Sequence, residues 1–133
     1  AFVASQVFDE PDSLAVLPLD YVGANADYQY LASALTTRLQ SHLAPIDSIK
    51  LASQANARRL TEASGYLGDE EVDYFMEGSF LLVEQQVTIE ISVVEADEDN
   101  ILFSQQWQGS LDQLERLESS VLEAVGDYVA ASL

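Results

Sequence analysis

Hydrophobic and polar positions divide the first third of the chain into a strand, a loop and a helix. A strand is predicted over 13–19, because residues 14–17 are apolar at consecutive positions, which is typical of a strand buried on both faces. Pro18 ends the apolar run, and a polar loop follows. Apolar residues then recur every three or four positions over 27–43, which predicts a helix with one apolar face. Asn25 or Asp27 can cap its start.

The middle of the chain changes period from helical to alternating. A short strand is predicted at 47–52, followed by a helix at 53–64 and an acidic loop at 65–71. Apolar and polar residues then alternate through three segments with short connections, which predicts an antiparallel meander. These strands cover 73–83, 87–95 and 101–108.

The last segment returns to the helical period. A helix is predicted over 111–132, with Ser110 as its cap and Gln113 completing a capping box. In the strand before it, Ile101, Phe103 and Trp107 are expected to share one face.

These elements predict an α/β fold of order β-α-β-α-β-β-β-α. The first three strands should be parallel through right-handed crossovers, and the meander should continue the same sheet. We therefore expect a five-stranded mixed sheet flanked by helices, with spatial order 2-1-3-4-5. Residues 13–133 would form the domain, and residues 1–12 a linker or a loosely attached edge segment.

Composition excludes several classes of function. The chain has 133 residues with 23 acidic and 5 basic side chains, a net charge of −18, which argues against nucleic-acid binding and against an anionic membrane surface. There is no cysteine, so a disulfide scaffold and thiolate chemistry are excluded. No apolar run is long enough to insert into a membrane, and residues 1–3 do not begin a signal peptide.

The sequence has none of the common catalytic or phosphate-binding motifs. His42 is the only histidine and is interpreted as a helix-end or surface residue. The acidic run at 97–100 lacks the glycine and the ligand spacing of an EF-hand, which favours a solvated turn. The run at 69–73 lacks any feature that would place paired carboxylates in a cleft. We expect no enzyme, no cofactor and no metal site.

Two features are candidates for partner binding. Lys50, Arg58 and Arg59 form a small basic cluster on an acidic protein, which can dock an acidic segment or make ordinary ion pairs with neighbouring acids. Trp107 is a large aromatic residue near a strand end, which suits either core packing or an interface. If the last strand is an edge, it could accept a strand from a partner.

Several segments together resemble the domain found at the amino terminus of TolB. They are LAVLPL (14–19), ADYQYLASALTTRLQSHL (26–43), VDYFMEGSFLL (72–82) and VTIEISVVEA (87–96). The Glu77-Gly78-Ser79 triplet and its distance from the next hairpin carry the best part of the match. Where that family has a Gly-Asp turn, this chain has Glu84-Gln85-Gln86.

The resemblance implies a mixed sheet flanked by helices, no catalysis, and contacts with other proteins. Such domains recur in bacterial multidomain envelope and signalling proteins, often beside tetratricopeptide repeats. The first hypothesis is therefore a non-catalytic interaction or sensory domain of a larger protein, periplasmic and part of a membrane-anchored chain, or alternatively cytoplasmic. Its partners would be other proteins or neighbouring domains of the same chain.

Two other hypotheses stay open. One is a small-ligand receptor that binds at the carboxyl ends of the strands, between the loops at 20–27 and 52–54. The other is an oligomerisation unit, in which residues 1–12 or the last strand pair between copies and give a homo-oligomer.

Overall fold

A computed structural model describes residues 12–52, 72–98 and 100–133. The predicted helix at 53–64 and the acidic loop at 65–71 lie outside these ranges. The described strands are β1 (Asp12–Val16), β2 (Asp20–Gly23), β3 (Ile49–Leu51), β4 (Tyr74–Val83), β5 (Gln86–Glu95) and β6 (Asn100–Ser110). The described α-helices are α1 (Gln29–Leu43) and α2 (Leu114–Ser132), and each follows a 3-10 turn, at Ala26–Tyr28 and Leu111–Gln113.

All six described strands belong to one mixed sheet. Its order is β3-β1-β4-β5-β6, which is the predicted spatial order, and β2 pairs with β4 off this path. β1 is parallel to both β3 and β4, whereas β4, β5 and β6 form the predicted antiparallel meander. The predicted α/β class and strand order are therefore confirmed.

One strand is missing from the prediction. β2 lies where a loop is predicted after the first strand, and it extends the pairing of β1 along the same side of β4. Pro18 separates the two strands because it has no N–H for the ladder. β1 pairs with Tyr74–Met76 and β2 with Ser79–Leu82, so Glu77 and Gly78 of β4 lie opposite the break.

The break would leave a backbone N–H of the buried Leu19 without a ladder partner. Thr36 of α1 accepts this bond through its Oγ1 at 3.0 Å, and the same hydroxyl donates to the carbonyl of Ala32 at 2.9 Å. Thr36 is buried, with 7% of its surface exposed. The helix therefore completes the hydrogen bonding of the interrupted strand.

Replacing Thr36 with valine should destabilise the domain. The change keeps the shape of the side chain but leaves the buried Leu19 N–H unpaired, which costs about 1–3 kcal/mol of unfolding free energy. Urea denaturation of Thr36→Val measures the loss. Thr37→Val is the matched control on the exposed side of the helix, and we expect it to change stability by less than about 0.5 kcal/mol. Equal losses in the two variants would contradict this role.

The core lies between the sheet and the two α-helices. β4 and β5 supply alternate residues to it, as their period of two predicts, and α1 and α2 supply one buried face each. A smaller buried cluster of Ala15, Phe75 and Val94 lies on the opposite face of the sheet. The remainder of that opposite face, which we call the open face, carries mainly polar and acidic side chains.

β6 does not keep one phase along its whole length. A register shift between Val93 and Val94 places Ile101 opposite Val94, on the side away from the α-helices. Ile101 is 63% exposed, whereas Phe103 and Trp107 are half-buried against the main core. The prediction that these three residues share one face is wrong for Ile101, because a bulge inserts an extra residue.

The caps of the two helical segments differ from each other. Asn25 accepts a hydrogen bond from the Asp27 N–H at 2.9 Å, which confirms its capping role. Ser110 makes no side-chain cap bond, so the predicted capping box is wrong. Its backbone is still extended and ends β6 immediately before the 3-10 turn.

The β4–β5 hairpin has a two-residue turn, Glu84-Gln85, between the paired residues Val83 and Gln86. Glu84 has a φ of 56°, and Gln85 is not among the positive-φ residues. A positive φ at the first turn residue alone fits a type II′ turn, in which that residue is normally glycine.

Replacing Glu84 with glycine should therefore stabilise the domain. Relief of the left-handed strain outweighs the added freedom of the unfolded chain, and we expect a net gain of about 0.5–1 kcal/mol. Gln85→Gly, which relieves no strain, should instead lose about 0.5–1 kcal/mol. Thermal unfolding of the two variants distinguishes them, and a loss on Glu84→Gly would contradict the turn assignment.

Candidate functional site

The structure separates the residues predicted to bind a partner. Lys50 is exposed on β3, opposite Ser13 of β1, at one end of the strand order. Trp107 lies on β6 at the other end, opposite Ile89, and packs against the core from the helix side. Arg58 and Arg59 lie outside the described residues. Binding by these four residues therefore stays a prediction, and Lys50 and Trp107 do not form one surface.

The outer side of β6 is the most distinctive surface of the described structure. β6 is an 11-residue strand that pairs with β5 on one side, and no strand in the described ranges pairs with it on the other. We call this unpaired side the β6 edge. Ile101 and Leu102, near its beginning, are 63% and 37% exposed.

The hydrogen-bond pattern identifies which backbone groups face the β6 edge. The Leu111 N–H donates to the Gln85 carbonyl at 2.8 Å, one step beyond the paired residues Gln86 and Ser110. Antiparallel pairs alternate between bonded and non-bonded, so the bonded residues of β6 along this register are Phe103, Gln105, Trp107 and Gly109. The outward N–H and carbonyl groups therefore belong to Ser104, Gln106, Gln108 and Ser110.

A side-chain contact agrees with this assignment. The hydroxyls of Ser92 and Ser104 are 3.3 Å apart, and side chains come closest at non-bonded antiparallel pairs. The side chains of Ser104, Gln106 and Gln108 lie on the open face of the sheet. Each therefore presents an outward backbone group and a polar side chain.

The charge pattern of β6 differs from that of the rest of the chain. Charged residues make up 21% of the sequence, yet none lies in β6. Natural proteins usually block exposed edge strands with lysine, proline or other charged residues. β6 has none of these, although its bulge near Ile101 twists one end. This strand therefore keeps an edge that can pair.

The open face carries a shallow acidic pocket of about 290 Å³ opposite the β1–β2 break. Gly78 is one of its lining residues, and a Cβ atom there would be 2.0 Å from the backbone oxygen of Glu90. The Glu77-Gly78-Ser79 triplet thus marks a close approach between backbones. The pocket is lined by Asp20, Glu77, Gly78, Ser79, Glu90 and Ser92.

A second groove, of about 490 Å³, lies at the end of α1 against α2. His42 is exposed in the last turn of α1, as predicted, and its Nε2 would be 2.8 Å from a Cβ atom at Gly126. Glu123 and Asp127 also line the groove. Neither this groove nor the acidic pocket, nor any other part of the described ranges, holds three side chains placed to bind a metal ion.

A buried carboxylate joins the two α-helices. Glu118 of α2 is 4% exposed and pairs with Arg38 of α1, whose side chain is 53% exposed. Burial raises the pKa of Glu118, while Arg38 acts in the opposite direction. Sequence reasoning missed this pair, because 80 positions separate the two residues and no local pattern marks Glu118 as buried.

Comparison with protein families gives a match along most of the chain. The model of the family described as "HilA/YgeH-like transcriptional regulator, second domain" matches residues 10–124. The chain belongs to this family. No curated protein matches this HilA/YgeH-like domain. No helix in its described ranges has the length and apolar character needed to cross a bilayer.

Solved structures with a similar fold have low sequence identity to this HilA/YgeH-like domain. TolB from Acinetobacter baumannii has a TM-score of 0.60 at 11% identity, over 93% of this chain and 29% of TolB. The PelC dodecamer from Paraburkholderia phytofirmans has a TM-score of 0.57 at 10% identity, over 90% of this chain and 89% of the PelC chain. Lipoprotein GNA1162 from Neisseria meningitidis has a TM-score of 0.58 at 12% identity, over 86% of this chain and 96% of the lipoprotein chain.

These similarities establish a shared fold. The resemblance to TolB holds at this level, while the family that matches the sequence carries a different description. This HilA/YgeH-like domain therefore shares its fold with TolB and with a lipoprotein.

Proposed function

We propose that this chain is a non-catalytic protein-interaction domain of a transcriptional regulator, and that it binds its partner by adding a strand to β6. The observation that carries the proposal is the β6 edge, which is long, uncharged and unpaired within the described ranges. The family description supports the regulator context.

Strand addition suits the backbone geometry of this edge. The outward groups of Ser104, Gln106, Gln108 and Ser110 recur every second residue, which is the spacing that an added strand needs. The inward side of β6 is fixed by ten paired positions on β5, so the edge is presented by a rigid support. Backbone hydrogen bonds from these outward groups would supply the affinity for an added strand.

The acidic charge gives the domain a role different from that of a DNA-binding domain. With a net charge of −18, it would be repelled by phosphate backbones. We therefore assign DNA contact to another part of the regulator, and to this domain the contact with a protein that carries the signal.

Two kinds of support favour different compartments for this domain. The resemblance to the amino-terminal domain of TolB and the fold shared with a lipoprotein favour the periplasm. The family description favours the cytoplasmic alternative, because a regulator acts where its DNA is. Fusion of the whole protein to alkaline phosphatase, which is active only after export, decides between them: an active fusion supports the periplasm and an inactive one the cytoplasm.

The proposed function is tested in the whole regulator by its transcriptional output. Gln106→Pro removes one outward N–H of the β6 edge without breaking a β5–β6 bond, and Gln106→Thr is the matched control that keeps the N–H. We expect regulation to be lost with proline and kept with threonine, at equal protein levels. Gln108→Pro repeats the test at a second outward position. Normal regulation by both proline variants would contradict the proposal.

A further inference from the structure

The β6 edge has acidic residues at both of its ends. Asp97 and Glu98 are exposed in the turn that leads into β6, and Asp112 and Glu115 are exposed just after it. Arg116 is the one base among the described residues of this second end. Between the two ends lie 11 uncharged residues. An added strand would therefore lie along a neutral centre and have its two ends beside carboxylates.

The same pattern opposes pairing between two copies of the chain. In an antiparallel pair of β6 strands, Asp97 and Glu98 of one copy would approach Asp112 and Glu115 of the other, at both ends of the interface. In a parallel pair, each acidic end would lie beside the same acidic end of the other copy. Like charges so placed repel, and the net charge of −18 on each copy adds to the repulsion.

We infer that the segment added to β6 is an extended, net-basic peptide of a different protein, with lysine or arginine at both ends and uncharged residues in the middle. This inference rests on the proposed function and adds the chemistry of the partner. About eight to ten residues would span the edge at the usual rise of a strand. Glu90, opposite Gln106 on the open face, adds negative charge beside the centre of the β6 edge.

Three labelled peptides test the inference by fluorescence anisotropy with residues 1–133. The first has two lysines at each end and six alternating valine and threonine residues between them. The second replaces the four lysines with glutamates. The third copies residues 100–110 of this chain. We expect the lysine peptide to bind at least about tenfold more tightly than the glutamate peptide at low salt, and the difference to shrink at high salt.

The variants show whether binding occurs at the edge. Gln106→Pro and Gln108→Pro should weaken the lysine peptide at least about tenfold, while Gln106→Thr should keep its affinity within about threefold. Circular dichroism verifies that each variant is folded. Equal binding of lysine and glutamate peptides, or binding unaffected by both proline variants, would overturn the inference.

Two results would separate this inference from the proposed function. Tightest binding by the copy of residues 100–110, with a dimer in sedimentation that Gln106→Pro dissociates, would replace the basic partner by a second copy. Loss of regulation in the Gln106→Pro regulator without any binding of the lysine peptide would retain strand addition and reject the basic ends. Intact regulation in that variant would reject the proposed function itself.

Discussion

Gly78→Ala should lower the unfolding free energy by at least about 3 kcal/mol, a large part of the stability of a domain of this size. The added Cβ atom would lie 2.0 Å from the carbonyl oxygen of Glu90 and 3.1 Å from Cδ2 of Leu19. The first contact is with the backbone of the central β4–β5 pair, so no side-chain rotation relieves it. The two strands would have to separate at this point, although β5 is held there by its pairing with β6.

Gly109→Ala is the matched control for this prediction. Gly109 also lies in a strand of the same sheet, but a Cβ atom there would be 3.5 Å from the side chain of Leu117, an ordinary contact. We expect a change within about 1 kcal/mol, because the extra contact and the reduced chain entropy favour alanine. Urea denaturation compares the two variants. A Gly78→Ala domain as stable as Gly109→Ala would contradict the close approach.

Arg38→Met should cost about 2–3 kcal/mol at pH 7. It leaves the buried carboxylate of Glu118 without its counter-charge, and removing one partner of a buried pair is more costly than removing both. We place the value below the usual range for buried pairs because Arg38 is 53% exposed. Denaturant unfolding of Arg38→Met and of Arg38→Met combined with Glu118→Gln measures the effect, and the double variant should recover most of the loss.

The pH dependence of Arg38→Met follows from the direction of the Glu118 pKa shift. Burial raises this pKa in the folded state, so the folded protein holds the proton more tightly than the unfolded one. The stabilisation that comes from this tighter proton binding by Glu118 is fully present below the ordinary carboxyl pKa of about 4.3. It is lost as the pH rises through the pKa of Glu118 in the folded state. The penalty of Arg38→Met should therefore shrink toward pH 4. A penalty independent of pH, or one that persists in the double variant, would contradict this account.

The alternation of side chains predicted the sheet well wherever the strands are long. β4 and β5 extend over ten residues each, and their period of two fixes both the pairing and the buried face. β2 was missed because Pro18 interrupts the apolar run and the four residues of β2 are mostly exposed. The phase of Ile101 was wrong because a bulge changes the face without leaving a mark in the composition.

The candidate site was less predictable from sequence than the fold. The neutral run of β6 is visible in the sequence, but whether that strand lies at an edge depends on the order of the whole sheet. The same holds for Glu118, which is one glutamate among many acids until α1 and α2 pack together. Long-range neighbours, rather than local propensity, decide both features.

The resemblance to other domains has a structural basis in the Glu77-Gly78-Ser79 triplet. Gly78 is required by the contact with Glu90, and the flanking residues face the open side of the sheet opposite the β1–β2 break. The triplet therefore marks how the sheet is built and does not by itself indicate a reaction or a partner.

Amide hydrogen exchange along β6, measured by NMR on residues 1–133, tests the central claim most directly. If the β6 edge is free to accept a strand, the amides of Ser104, Gln106 and Gln108 should exchange on the order of a hundredfold faster than those of Phe103, Gln105 and Trp107, which bond to β5. Addition of the lysine peptide should then slow the three fast amides selectively. Uniformly slow exchange along β6 in the free protein would show that the edge is already covered and would contradict the account.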